Sequence, residues 1–238
     1  IMSTAVKAIY SFINSEETNL KIYEMQHPDI LLWAVWTVQQ YSKMVSRDAA
    51  KEKYSALVRD IMYYIIEGRH PNLFVKENGL VYSEGRDKSI SWMNSTVNGR
   101  PVVARTGYLV EFNALWYNAL CFASDMMSEI GDTDFSNRLR YISENTAKSF
   151  IETFLNDYGY LLDFVDGNMM DWSVRPNMIF AAAFDYSPLD AKQKKGVIDI
   201  VTKELLTPKG LRSLSPKSGG YNPNYVGSQL QRDYAYHQ

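Results

Sequence analysis

Apolar side chains return every three or four positions through most of this chain, a spacing that suits packed amphipathic helices and little else. Between 50 and 67, Tyr54, Leu57, Val58, Ile61, Met62 and Ile65 share one face, and Gly68 stands where a helix would stop. Between 109 and 130, Phe112, Leu115, Trp116, Ala119, Phe122, Ala123, Met126 and Ile130 form a second stripe that ends at Gly131. A third stripe, over 133 to 156, carries Phe135, Leu139, Ile142, Phe150, Ile151 and Phe154. A fourth helix is predicted over 187 to 206, with Ser187 as its cap, Pro188 at its first position and Asp190 adding negative charge to its first turn. Further helices are predicted over 2 to 14, 29 to 45 and 176 to 185, the last entered through Pro176.

The connections are of two kinds. Those near 46 to 49, 131 to 133 and 186 to 188 are short, as in antiparallel helix pairs. Those over 68 to 108, 157 to 175 and 207 to 238 are long and hold most of the glycines, with many Trp, Tyr, Arg and Asp residues. Leu73 to Val75, Leu80 to Tyr82 and Tyr160 to Val165 could add short strands there. Alternating tight and long joins imply helical hairpins arranged in an arc or ring, with the long loops gathered at one end as the functional face. No linker composition or repeat divides the chain, so one domain is expected.

Composition excludes several classes. With 25 Lys and Arg against 27 Asp and Glu, the chain lacks the basic footprint that nucleic acid requires. Its three histidines, His27, His70 and His237, lie far apart, and no metal-ligand spacing is present. A lone cysteine, Cys121, forms no internal bridge, which suits a cytoplasmic protein or one stable without disulfides. No apolar run is long enough to span a membrane.

What the loops do carry is aromatic rings beside charges: Trp92, Asn94, Arg105, Asp171, Trp172, Arg175, Tyr221, Tyr225, Arg232 and Asp233. Indole and phenol faces take the C–H faces of sugar rings, while carboxylates and guanidiniums take the hydroxyls. Solvated charges and loop-anchoring aromatics are the plainer account of the same residues. Two words are sharper. EFNALWYNAL, from Glu111 to Leu120, opens a helix with a carboxylate and the amide of Asn113, although Glu111 also suits a helix N-terminus on electrostatic grounds alone. DWSVRPN, from Asp171 to Asn177, uses Pro176 to hold Arg175 at a helix mouth, where it and Asp171 address one space.

These words, together with SWMNSTVNGRPVVARTG before Glu111, LLTPKGLRSLSP, and the terminal QRDYAYHQ, resemble the amylo-α-1,6-glucosidase domain of glycogen debranching enzymes. PDILLW, from Pro28 to Trp33, is similar to an earlier segment of that family. The resemblance covers nearly the whole chain and keeps the order of the words. It implies an all-α, (α/α)6 toroid of helical hairpins, of which residues 1 to 238 form part. It implies inverting hydrolysis of the α-1,6-linked glucose left at trimmed branch points of glycogen or a related α-glucan, in the cytoplasm, with no cofactor and no metal. By matching position it assigns Asp29, Trp92, Arg105, Glu111, Asn113, Asp171, Trp172, Arg175, Asp233 and His237 to the glucose pocket, with Trp92 and Trp172 as stacking walls.

Two departures accompany the resemblance. Asn94 stands where the family has an aspartate taken to be the general acid, and an amide has no proton to give at neutral pH. Either a neighbour such as Glu84 or Asp87 takes over, or the residue at this position has been changed, or the domain is a weakened or non-catalytic α-glucan binder. The glutamate taken as general base lies in a part of the family pattern beyond Gln238. About seven helices are counted against the toroid's twelve, so a piece of a larger enzyme is expected, itself inactive and prone to self-association through apolar edges. A toroid devoted to lyase or isomerase chemistry is the remaining alternative.

Overall fold

The computed structural model describes residues 2–16 and 23–237. Among the described residues, eight α-helices carry most of the ordered structure: α1 (Met2–Ile13), α2 (Ile30–Met44), α3 (Arg47–Ile66), α4 (Val110–Glu129), α5 (Thr133–Phe154), α6 (Ile179–Ala183), α7 (Ala191–Glu204) and α8 (Gln229–Ala235). Helix α2 pairs with α3, α4 with α5 and α6 with α7, while α4 also touches α2, α3 and α6. The first three pairs follow the short joins read from the sequence. Helix α8 had no predicted counterpart: it is only seven residues long and opens with a capping box between Ser228 and Gln231.

Helix α4 is the centre of the molecule. Fifteen of its twenty residues are buried, including Glu111, Asn113 and Asn118, so its apolar stripe widens to nearly the whole circumference. A helix covered on all sides belongs to a core rather than a surface. By contrast, α3 keeps the one-sided pattern that its period predicts, with Leu57, Val58, Ile61, Met62 and Ile65 buried. Helix α7 begins later than its sequence suggested. Asp190 caps it by accepting from Gln193 N, and the Gln193 side chain returns the bond. Ser187 instead accepts from Leu189 N and donates to the Ala181 carbonyl, closing the turn after α6.

The all-helical expectation needs correction. The long loops fold into four small antiparallel sheets: β1 (Phe74–Val75) with β2 (Val81–Tyr82), β3 (Thr96–Val97) with β4 (Arg100–Pro101), β5 (Tyr108–Leu109) with β6 (Phe164–Asp166) and β7 (Met169–Met170), and β8 (Leu206–Thr207) with β9 (Gly210–Leu211). The fold is therefore mostly helical with a few short sheets. Backbone groups in long connections need partners, and two-residue ladders supply them. Strands β1 and β2 fall within the stretches whose sequence allowed them, and β6 overlaps the third and runs one residue past it. A bridge between Ser83 and Gly107 links the first sheet to the third. Gly107 is required there: its φ is +93°, and an added Cβ would lie 2.2 Å from the Val165 carbonyl oxygen.

Candidate active site

The loops before α4 and before α6 meet on one buried guanidinium. Arg105 donates from Nε to Asp163 Oδ2 at 2.7 Å, from Nη2 to Glu111 Oε2 at 2.7 Å and to the Asp163 carbonyl at 3.2 Å. Its Nη1 reaches Glu111 Oε1 and, at 3.5 Å, Ser91 Oγ. All five of its N–H donors thus have an acceptor, which is what an interior arginine demands. The Arg105 and Asp163 side chains are each 1% exposed. Burial works against the charge on Arg105, but Asp163 and Glu111 hold its pKa above the ordinary value. Burial pushes the Asp163 carboxyl up, with Arg105 opposing.

The network continues outward through Asn177. Its Nδ2 donates to Asp163 Oδ1 at 2.7 Å, and its Oδ1 accepts from Trp92 Nε1 at 2.8 Å. The indole is thereby fixed by its edge while 43% of the residue stays exposed. Asp171 joins through the backbone: Asp163 N donates to the Asp171 carbonyl at 2.9 Å, and Asp171 N donates to the Phe164 carbonyl at 3.0 Å. One Asp171 carboxylate oxygen accepts from Ser173 N at 2.8 Å, which shapes the turn toward Arg175. Arg175 caps the short 3-10 turn Pro176–Met178, with Pro176 at its start. The helix-mouth position read from that proline is thus present.

Arg175 donates from Nη1 to the His237 carbonyl at 2.7 Å and to the Ser213 carbonyl at 3.1 Å. Among the described residues, Arg175 Nε and His237 Nε2 are buried without a hydrogen-bond partner. Burial lowers the Arg175 pKa against the pull of Asp163 and Asp171. Burial and then Arg175 lower His237 to about 4, so its ring is neutral at physiological pH. His237 also meets Trp92 edge-on, with ring centroids 4.9 Å apart. Ser95 Oγ donates to the Asp233 carbonyl at 2.8 Å, tying α8 to the loop that carries Asn94. Asn94 itself is exposed.

The sequence-derived candidates therefore divide. Trp92, Arg105, Glu111, Asp171, Arg175 and His237 belong to one connected region, with Asn94 on the loop between Trp92 and Ser95; Asp233 touches that loop only through its carbonyl, and its carboxylate accepts from Gln229 Nε2 at 2.6 Å. Asn113 works elsewhere: its amide pairs with Val81 N at 2.8 Å and with the Val81 and Leu109 carbonyls, each at 3.0 Å, so it replaces a missing strand. Asp29 precedes α2 and accepts from Trp33 Nε1 at 3.0 Å, and burial raises its pKa. Trp172 is 45% exposed and packs on Tyr158. Of the residues that could stand in for an acid, Glu84 accepts from Thr106 Oγ1 at 3.3 Å, and Asp87 is exposed. Asp163 and Asn177, the two hubs, were not among the expected site residues. The only signal for Asp163 was a charged residue inside an apolar strand-like stretch, which needs a buried partner.

A mostly helical scaffold whose loop end gathers fixed indoles, carboxylates and guanidiniums fits the sugar-processing class. The chain belongs to the amylo-α-1,6-glucosidase family, whose model matches residues 17–238. No curated relative matches it. Among the described residues, no group of three His, Cys, Asp or Glu side chains could hold a metal ion, and no helix is long and apolar enough to cross a membrane.

Proposed function

We propose that this chain forms part of a single helical toroid domain that removes α-1,6-linked glucose from branch points of glycogen or a related α-glucan, with inversion at the anomeric carbon. The observation that carries this reading is the meeting of Trp92, Asp171, Arg175 and His237 around one locked network. In it, Trp92 supplies a stacking face and Asp171 a carboxylate, while Arg175 and neutral His237 form the wall behind them. Arg105, Glu111, Asp163 and Asn177 hold those groups in place without facing the sugar. Such fixed polar groups beside an aromatic wall suit a terminal hexose, whose hydroxyls they orient.

Asn94 favours a second reading, an α-glucan-binding homologue with weak or no hydrolysis. Its amide can hydrogen-bond a glycosidic oxygen but cannot protonate it. A dextrin carrying a single α-1,6-glucose stub, incubated with the full-length protein and followed by NMR, separates the two. Hydrolysis by inversion releases β-glucose first. Asn94→Asp should raise the rate about 10²- to 10⁴-fold where the missing acid limits turnover. Retained glucan binding with no glucose from either form supports the binding-only reading. An unsaturated or epimerised product rejects both.

A further inference from the structure

A groove of about 510 Å³ lies between the turn after α5 and helix α7, away from the Arg105 network. That volume falls within the range of roughly 300–1,000 Å³ usual for small-ligand sites. Tyr158 and Tyr160 form one wall, and Asp199, Lys203, Glu204 and Lys217 line the rest. The turn is rigidly built: Asn156 Oδ1 accepts from Tyr158 N at 3.0 Å and from Tyr160 N at 3.4 Å, and the Asn156 carbonyl accepts from Gly159 N at 3.0 Å. Gly196 explains how it sits so close to α7. Glycine is unfavourable inside a helix, yet a Cβ there would come within 2.2 Å of the Gly159 carbonyl oxygen.

The outcome is an unusual surface. Tyr158 is 80% exposed, its ring lies 6.4 Å from Tyr160 at an interplanar angle of 22°, and Trp172 meets it at 6.2 Å and 78°. Aromatic rings therefore run from Trp172, beside Asp171, to the groove. The polar rim carries two carboxylates and two ammonium groups, so it offers no net field to an ion. Glu204 accepts from Lys217 at 2.5 Å and from Ser215 Oγ at 2.9 Å, which fixes the floor of the groove. Flat rings with balanced donors and acceptors match a neutral polyol.

We propose that this groove is a second α-glucan platform, holding a stretch of polymer away from the reacting glucose. The inference rests on the substrate class proposed above. Affinity electrophoresis of the full chain through gels containing soluble glycogen tests it. The unaltered chain should be retarded, and the pair Tyr158→Ala and Tyr160→Ala should weaken apparent binding about tenfold. Tyr158→Phe with Tyr160→Phe, which keeps the ring faces, should stay within about threefold. Tyr158→Ala alone, at a solvent-exposed position, provides the test if the double variant does not fold, with weakened retardation expected. Unchanged retardation in the alanine variants overturns the proposal, as does the absence of retardation in the unaltered chain. So does retardation that Asp171→Asn abolishes while the tyrosine variants keep it. The readouts separate the two readings. Glycogen binding through the tyrosines without glucose release rejects hydrolysis alone, whereas glucose release from the short dextrin with tyrosine-independent retardation rejects the platform alone.

Discussion

Two tiers of polar residues lie one behind the other at the loop end of the molecule. In the inner tier, Arg105 meets Asp163 and Glu111 with all its donors used, and Asn177 extends the bonding to Trp92. In the outer tier, Arg175 Nε and His237 Nε2 are buried and, among the described residues, unpaired. Interior polar groups normally find partners, and His70 Nε2, Ser83 Oγ and Asn156 Nδ2 share that unpaired state elsewhere in the molecule. The difference teaches that charge near a site is not itself evidence of contact with substrate. The inner tier fixes geometry through fully used donors, while the outer tier is held by fewer bonds.

The largest expected effect tests the inner tier. Arg105→Ala leaves two buried carboxylates without their partner and should cost about 3–5 kcal/mol. Denaturant melts should show a lower midpoint with little change in slope. A loss below about 1 kcal/mol would break the distinction between tiers.

A smaller, pH-dependent effect comes from another interior polar group, His70, which is 1% exposed and accepts from Asn72 N at 3.1 Å. Burial lowers its pKa from 6.5 to about 4, partly opposed by the Met25 backbone. The unfolded chain therefore binds the extra proton first. Stability from neutral His70 is complete above about pH 6.5 and falls as pH drops toward 4, by up to about 3 kcal/mol. His70→Phe should reduce the slope of the melting midpoint across that window, leaving the part that His237 contributes. An equal slope in the variant shows that His70 is not the group responsible.

The smallest effect is expected at the exposed edge. Asn94→Asp should change stability by no more than about 0.5 kcal/mol, since the residue lies at the surface. Any change in turnover would then report chemistry rather than folding.

Much of the scaffold was legible in advance because helices are written locally. The stripe of α3, the stop at Gly68 and the pairing across short joins follow from neighbours within a few residues. Ser187 misled because two residues three positions apart, Ser187 and Asp190, could each cap a helix, and only the Asp190–Gln193 box closes with both partners. The small sheets were only partly visible, since two-residue strands leave almost no periodic signal. At the candidate site, the words around Trp92, Asp171 and Arg175 fall in the region tied together around Asp163 and Asn177. Glu111 and Asn113 look alike in sequence as polar residues at the mouth of α4, yet one grips a guanidinium and the other a strand backbone.

By itself, then, the amino-acid order determined where helices start and stop, which connections are long, and which family the chain joins. Only the tertiary structure decided what each polar side chain does. Asp163 reaches Arg105 across 58 residues, and Asn177 reaches Trp92 across 85. Hydrogen-bond satisfaction over such separations depends on how whole helices pack, and no local spacing encodes it.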